Sequence, residues 1–157
     1  MHDDVSIEPA RLDELDAVRL LLREYAASLS VDLEFQQFDE ELAGLPGAYA
    51  PPRGALLVAR ATLALLGCVG VRPLDGSTCE MKRLYVRSSQ RGTGLGRRLA
   101  EESIGEARRL GYCAMRLDTL PGMEAAQALY ERLGFRDVAP YTGNPVPGTR
   151  FLELDLG

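Results

Sequence analysis

A glycine-rich segment between an apolar run and an amphipathic run constrains the fold more than any other feature of the chain. The segment, RGTGLG, spans Arg91 to Gly96; it follows a strand-like run that ends at Val86 and precedes a helical pattern that continues to Leu110. Glycines let the backbone curl closely around a ligand, and the first N–H groups of the following helix attract an anion. The pattern predicts either a turn that binds a pyrophosphate or a purely structural tight connection.

Two common nucleotide-binding motifs do not match this segment, and both fail at Arg97. A P-loop requires a lysine at this position, followed by serine or threonine. A Rossmann turn requires a third glycine or an alanine there, and it is expected after the first strand rather than past the middle of a chain of 157 residues. The sequence therefore argues against both of these ways of holding a nucleotide.

The periodicity of apolar residues predicts a mixed α/β fold. The order is strand, helix, helix, three strands, helix, strand, helix, two strands, which favours a mixed sheet covered by helices over a simple parallel sheet. Asp13 is predicted to cap the first helix, and Gly134 is predicted to end the last one. The predicted strands are 5–8, 54–61, 63–71, 79–86, 113–119, 135–138 and 150–156, and the predicted helices are 15–29, 36–45, 92–110 and 123–133.

Length and charge limit the classes of protein that the chain can represent. From 157 residues and 46% hydrophobic content we expect a single domain over residues 1–157. The net charge of −5 argues against a nucleic-acid partner. No apolar run approaches the roughly 20 residues that span a bilayer, and the acidic start at Asp3 and Asp4 differs from the basic start of a secretory signal. We therefore expect a cytoplasmic protein with no membrane partner.

The cysteine and histidine content argues against a metal site and against covalent catalysis. Cys68, Cys79 and Cys113 form no C-x-x-C pair, and we expect all three to be reduced thiols in the core. No metal-site spacing occurs in the sequence. Because His2 is the only histidine, no Ser–His or Cys–His nucleophilic pair is expected, and Cys79 lacks a histidine to activate it. This argues against a covalent intermediate on a serine or cysteine of the protein.

Three segments together resemble the GNAT family of N-acetyltransferases. The family's acyl-CoA signature is arginine or glutamine, two residues, glycine, one residue, then glycine or alanine, and it is met by Arg91, Gly94 and Gly96. Residues 79–86, CEMKRLYV, are similar to the family's fourth strand, and residues 126–135, AQALYERLGF, are similar to its late helix and the strand start beyond. The resemblance implies a GNAT-like acyl-CoA N-acyltransferase fold, with about six to seven strands flanked by about four helices.

The resemblance also implies which residues bind acetyl-CoA, the acyl-donor cosubstrate. Backbone groups near the end of the strand would pair with the pantetheine arm as if it were an extra strand, and N–H groups of the turn would hold the pyrophosphate. The implied contacts are Leu84, Tyr85, Val86, Arg91, Gly92, Thr93, Gly94, Leu95, Gly96 and Arg97. One position departs from the family: Met123 stands where many members have an asparagine that contacts the cofactor.

Tyr130 is the predicted general acid. Acyl transfer to an amine needs a neutral amine, a polarised thioester carbonyl and a proton for the departing thiolate. Tyr130 matches the family's usual general acid, and a phenol with a pKa of about 10 can supply that proton. The alternative is that Tyr130 only packs on the helix face that it shares with Met123, Ala126 and Leu133.

Glu80 is the predicted base. It lies on the strand expected to border the substrate, and it matches an acidic position that some members of the family use. The alternatives are an ion pair with Lys82 or Arg83, or a side chain that faces solvent.

These features together predict an N-acetyltransferase that moves acetyl from acetyl-CoA to a primary amine of a small molecule or peptide. A non-catalytic acyl-CoA-binding sensor is the alternative, and an adaptor whose glycine turn is only structural is a third interpretation. The amine is not identified, because substrate pockets in such folds are built from variable segments, here 28–52 and 141–148. The resemblance also allows a homodimer through the final strands.

Overall fold

Seven strands and four helices make up the regular structure of residues 4–29, 32–33 and 37–157, the parts of the chain that the computed structural model describes. The strands are β1 (Ser6–Pro9), β2 (Ala55–Arg60), β3 (Leu65–Pro73), β4 (Thr78–Val86), β5 (Ala114–Thr119), β6 (Arg136–Asp137) and β7 (Arg150–Asp155). The helices are α1 (Leu15–Ser28), α2 (Phe38–Ala43), α3 (Leu95–Arg109) and α4 (Glu124–Arg132). The predicted mixed α/β architecture is confirmed.

A parallel pair of strands lies in the middle of an otherwise antiparallel sheet, whose order is β1-β2-β3-β4-β5-β7-β6. The parallel strands β4 and β5 pair along Thr78–Glu80 and Ala114–Arg116. Beyond these residues, β4 continues beside β3 to Val86, whereas β5 continues beside β7 to Thr119. The two halves of the sheet therefore separate and leave a cleft between them.

Alternating side chains of the strands fill two hydrophobic cores, one on each face of the sheet. In β2, Leu57 and Ala59 belong to the core beneath α3 and α4, while Leu56 and Val58 belong to the core beneath α1 and α2. Leu99 of α3, which is fully buried, extends the first of these cores. Helices therefore cover both faces of the sheet, and their packing holds the strands on each side of the cleft in place.

Helix α3 has the predicted apolar face but starts later than predicted. Its buried residues include Leu99 and Ala107, as the spacing indicates. The helix begins at Leu95 rather than at Gly92, because Gly92 and Gly94 have φ angles of 81° and 84°, which a right-handed helix excludes. The glycine-rich segment is therefore a turn that ends where the helix begins.

The predicted starts of the first two helices also need correction. A 3-10 turn, Leu12–Glu14, precedes α1, and Glu14 rather than Asp13 occupies its cap position, with no capping bond from its side chain. The prediction that Asp13 caps this helix is therefore wrong. Helix α2 covers only Phe38–Ala43 of the predicted range 36–45, and position 36 lies outside the described residues.

The three cysteines are free thiols in two different environments. Cys68 and Cys79 are buried, as predicted, whereas Cys113 is exposed, so the prediction of a third core thiol is wrong. Cys113 lies just before β5, where its N–H donates to the Ser77 carbonyl and its own carbonyl accepts from Leu156 N–H. The backbone at this position is thus integrated in the sheet while the side chain reaches solvent.

The described residues, 4–29, 32–33 and 37–157, include no helix that is long and apolar enough to cross a membrane. In the same residues, no group of three or more histidine, cysteine, aspartate or glutamate side chains is placed to hold a metal ion. The cytoplasmic location stays a prediction.

Candidate active site

A β-bulge at Arg83 interrupts β4 on the wall of the cleft. The register with β3 shifts between the pairs Cys68–Tyr85 and Gly70–Lys82, so β4 has one more residue than β3 over this interval. Arg83 has a left-handed backbone conformation, with φ of 61°, which is strained for a residue with a side chain. An inserted residue has no partner across the ladder. The Arg83 carbonyl accepts a hydrogen bond from the Cys68 thiol at 3.5 Å, so the β3–β4 ladder is interrupted here beside the cleft.

A buried ion pair fixes the side chain of Arg83. Its Nε and Nη2 atoms donate to the two carboxylate oxygens of Glu41 on α2, at 2.9 and 3.0 Å. The two side chains are only 3% and 13% exposed, respectively. Burial raises the pKa of Glu41, but the hydrogen bonds and charge of Arg83 outweigh this effect and hold the pKa below its ordinary value. The strained bulge is therefore tied to the helix above it.

Replacing Glu41 by glutamine should lower the free energy of unfolding by about 3–5 kcal/mol, because it leaves the Arg83 charge buried and uncompensated. Denaturant titration measures this loss. Because the folded-state pKa of Glu41 is lowered, its contribution is present above the unfolded value of about 4.3 and is lost as pH falls through the folded-state pKa.

The control for this prediction is Glu131→Gln, which breaks a surface pair with Arg150 and should cost under about 1 kcal/mol. Equal losses of stability in the two variants would show that the Glu41–Arg83 pair does not support the bulge.

One end of the cleft is a groove of about 330 Å³ between β4, the glycine-rich turn and α4. We call it the acyl groove. It contains the end of β4, most of the turn and one face of α4, so its wall combines apolar side chains with backbone groups. Its lining residues are Tyr25, Ser28, Leu84, Tyr85, Val86, Gln90, Arg91, Gly92, Gly94, Leu95, Gly96, Met123, Ala125, Ala126 and Leu129. The predicted cofactor-binding residues therefore come together here, apart from Thr93 and Arg97.

The side chains of Thr93 and Arg97, the two remaining predicted residues, do not line the acyl groove. The Thr93 hydroxyl donates to the Gln90 carbonyl at 2.6 Å. The Arg97 guanidinium pairs with Glu101 at 3.6 Å on the surface of α3. The Thr93 N–H also donates to the Gln90 carbonyl, at 3.3 Å, so it is engaged within the turn. The predicted role of Arg97 through its backbone stays a prediction.

The turn presents the start of α3 to the acyl groove. A Cβ atom added at Gly94 would meet nothing within 4 Å, so this glycine is required by its φ of 84° and not by packing. Gly94 also brings no side chain to cap the helix. Because the first N–H groups of a helix have no partners within it, they remain available to an anion.

Replacing Gly94 by alanine should weaken acetyl-CoA binding about tenfold, because holding alanine in this conformation costs about 1–2 kcal/mol. Calorimetric titration measures the Kd. The matched control is Gly105→Ala in the middle of α3, where an added Cβ also meets nothing and helix propensity should add about 0.5–1 kcal/mol of stability. Equal Kd values for the two variants would contradict the role of the turn.

A narrow passage of about 40 Å³ continues from the acyl groove between β4 and β5. Tyr25, Leu84 and Met123 line both the passage and the groove. Tyr130 lines the passage, with its ring packed edge-on against Phe135 at a centroid distance of 5.8 Å. Burial raises the pKa of the Tyr130 phenol above its ordinary value, so the hydroxyl stays protonated at neutral pH. Tyr130 thus packs in the core and also reaches the path of a ligand.

The passage opens on its other side into a charged pocket of about 310 Å³. Lys82, Arg83 and Asp118 line both the passage and this charged pocket. The complete lining is Arg72, Glu80, Lys82, Arg83, Asp118, Thr142, Gly143 and Asn144. Shared lining residues therefore place the acyl groove, the passage and the charged pocket in this order along one path through the cleft.

Both carboxylate oxygens of Glu80 are engaged in the wall of the charged pocket. Arg72 Nε donates to Oε1 at 2.8 Å, and the Tyr141 hydroxyl donates to Oε2 at 2.7 Å. Glu80 is fully buried, so it does not face solvent, and its ion-pair partner is Arg72 rather than Lys82 or Arg83. The carboxylate is held in one orientation beside the place where an acceptor would enter.

Asp118 is a second carboxylate at the junction of passage and pocket. Its Oδ1 lies 4.0 Å from Lys82 Nζ, and its Oδ2 accepts a hydrogen bond from Asn144 Nδ2 at 3.1 Å. Burial and the charge of Arg83 lower the pKa of Lys82. Sequence reasoning missed Asp118, although an acidic residue within a predicted strand is a signal that could have found it. Tyr141 begins the segment 141–148 that was predicted to help build the substrate pocket, but its hydrogen bond to Glu80 was not predicted.

Solved structures of acetyltransferases share this fold. A GNAT-family acetyltransferase from Staphylococcus aureus superimposes with a TM-score of 0.80 at 18% identity, covering 98% of this chain and 100% of that one. A putative acetyltransferase from Salmonella typhimurium, solved with its cofactor acetyl-CoA, superimposes with a TM-score of 0.73 at 22% identity, covering 98% and 94%. The architecture is therefore that of an acetyltransferase.

Sequence comparison identifies the family to which the chain belongs. The model of the acetyltransferase (GNAT) family matches residues 15–135. An uncharacterised N-acetyltransferase of Schizosaccharomyces pombe is 42% identical over 156 residues, which cover 98% of this chain and 96% of the relative. The chain belongs to the GNAT family of acetyltransferases, and the predicted enzyme class is confirmed.

Proposed function

We propose that residues 1–157 form one domain that transfers acetyl from acetyl-CoA to a primary amine of a small molecule or peptide. The observation that carries this proposal is the order of the acyl groove, the passage lined by Tyr130 and the charged pocket along the cleft. In this arrangement two substrates can enter from opposite sides and meet at the passage. The acetyl-CoA bound to the Salmonella typhimurium protein supports the choice of donor.

Donor binding uses backbone groups on both sides of the acyl groove. The N–H groups of the turn and the positive end of α3 bind the pyrophosphate. Those of Arg91 and Thr93 take no part, because they donate to the Ser88 and Gln90 carbonyls at 3.3 Å. The free edge of β4 at Leu84 to Val86, which β5 does not cover, pairs with the pantetheine arm. The thioester then lies in the passage, beside the bulge.

The chemistry is direct attack of the amine on the thioester carbonyl. A C–N bond forms and the C–S bond breaks, while the amine loses a proton and the departing thiolate gains one. Glu80 accepts the amine proton, directly or through water, and Tyr130 donates to the sulfur. Backbone N–H groups at the Arg83 bulge stabilise the negative charge that develops on the carbonyl oxygen.

The thiol nearest to the charged pocket supports direct attack over an acyl-enzyme. Cys79 is buried, and its thiol donates to the Ala114 carbonyl at 3.6 Å. Burial raises the pKa of Cys79 to about 12, which leaves almost no thiolate at neutral pH. His2, the one histidine of the sequence, lies outside the described residues.

Calorimetric titration with acetyl-CoA, succinyl-CoA and CoA, followed by thiol release with a library of amines, tests this function. Binding with amine-dependent release of CoA is the expected result. Binding without release for any amine would favour the acyl-CoA sensor. No binding of any CoA ester would overturn the proposal. The homodimer through the final strands stays a prediction, which the molecular mass in solution would test.

A further inference from the structure

We infer that the acceptor is a small amine that also carries a carboxylate, as amino acids do, rather than a polyamine. This inference rests on the proposed function and specifies its second substrate. Three observations carry it: the charges of the pocket, their order along the path, and the geometry of one arginine.

The charged pocket differs in charge from the chain as a whole. The chain carries a net charge of −5, yet the pocket is lined by three cationic side chains and two carboxylates. The cations are Arg72, Lys82 and Arg83, and the carboxylates are Glu80 and Asp118. Each cation has a carboxylate beside it, Glu80 for Arg72, Asp118 for Lys82 and Glu41 for Arg83. The pocket therefore has no excess of negative charge that would attract an acceptor with several ammonium groups. A zwitterion meets both signs of charge.

The charges are also ordered along the path. Asp118 lies at the junction with the passage, where the acceptor amine must arrive in order to reach the thioester. Arg72 and its partner Glu80 line the charged pocket but not the passage, so both lie on the entry side, and an amine at the passage would pass its proton to Glu80 through water. An acceptor whose ammonium group approaches Asp118 therefore has Arg72 within the same pocket to receive an anionic group.

Arg72 is suited to bind that group. Its Nε and Nη2 atoms both contact the same oxygen of Glu80, at 2.8 Å. A guanidinium has five N–H donors in a planar fork that matches a carboxylate, so these two contacts leave further donors. The Arg72 side chain is 32% exposed, whereas Glu80 beneath it is 1% exposed. Arg72 can therefore bind a ligand carboxylate without breaking its ion pair with Glu80.

The pocket volume favours a small molecule. About 310 Å³ lies at the lower end of the range of roughly 300–1,000 Å³ that is usual for ligand pockets. The tail of the chain closes one side of it, since Asn144 contacts Asp118 and Tyr141 contacts Glu80. These contacts leave room for an amino acid more readily than for a folded protein.

The test compares matched pairs of amines: each amino acid with its amide, which has the same amine and no carboxylate, together with spermidine and putrescine. Thiol release from acetyl-CoA gives kcat/KM for each. We expect at least one amino acid to react roughly tenfold or more faster than its amide, mainly through a lower KM. Arg72→Gln should reduce that acid-to-amide ratio to near one, and Arg72→Lys should restore part of it.

The acid-to-amide ratio of kcat/KM distinguishes recognition of the carboxylate from a general loss of activity or stability. A general loss lowers kcat/KM for both members of a pair by the same factor. The control is Arg150→Gln, whose guanidinium pairs with Glu131 and Asp137 away from the charged pocket and is 29% exposed. This control should leave the ratio unchanged. Equal rates for acid and amide, a preference for polyamines, or acetyl-CoA binding without release for any amine would each overturn the inference. Failure to bind acetyl-CoA would instead overturn the proposed function.

Discussion

Tyr130→Phe is expected to lower kcat roughly 10²–10⁴-fold while the Kd for acetyl-CoA stays unchanged, because this substitution removes only the proton donor. Tyr130 lines the narrow passage and not the acyl groove, so its hydroxyl should act on the departing sulfur rather than on donor binding. Burial raises the pKa of the phenol, but a thiolate formed in the same passage is desolvated too, and its pKa rises for the same reason. Proton transfer between them therefore stays accessible.

Steady-state kinetics and calorimetry on one protein preparation test this prediction. The control is Tyr112→Phe, since Tyr112 is 5% exposed and Tyr130 is 8% exposed, and the Tyr112 hydroxyl donates to the Arg53 carbonyl at 2.6 Å, away from the passage. The control should lose about 1 kcal/mol of stability and none of its turnover. If Tyr130→Phe keeps full turnover, Tyr130 is only a packing residue.

The sequence could predict the parts of this site that are local. The glycines at 92 and 94 have positive φ angles that residues with side chains avoid, so their function in the turn is readable from residue type alone. The apolar stripe of α3 and the position of Tyr130 on α4 follow from helical spacing over a few turns. The sequence predicted the wall of the acyl groove on β4 and the turn, but it did not predict the wall that Tyr25 and Ser28 of α1 provide.

The charged pocket could not be predicted in the same way, because its contacts join distant parts of the chain. Arg83 and Glu41 are 42 residues apart, and Tyr141 and Glu80 are 61 residues apart. In a regular strand, side chains alternate between the two faces of the sheet, and Arg83 would be expected to follow this alternation. The extra residue at the bulge shifts the alternation of the β4 side chains. Glu80, the predicted base, lies in the wall of the charged pocket, but its partners Arg72 and Tyr141 were not predicted.

Glu80→Gln is expected to lower kcat/KM at pH 7 by roughly 10²–10⁴-fold, because glutamine keeps the size of the side chain but cannot accept a proton. Part of the loss should be recovered as pH rises toward the pKa of the acceptor amine, about 10.4 for an alkylamine, since more of the amine is then neutral without help. The wild-type rate should depend less steeply on pH over the same range. A pH–rate profile of both proteins with one amine measures this difference.

The contacts of Glu80 make a control necessary, because the substitution also breaks its pair with Arg72. Glu14→Gln breaks a comparable pair with Arg60, whose Nε and Nη2 lie 2.8 and 2.7 Å from its carboxylate, at a site outside the cleft. That control should leave the pH profile unchanged. If Glu80→Gln lowers the rate by the same factor at every pH, its role is to position Arg72 and Tyr141. The base would then be sought at Asp118, the other carboxylate on the path, and Asp118→Asn should show the pH-dependent recovery instead.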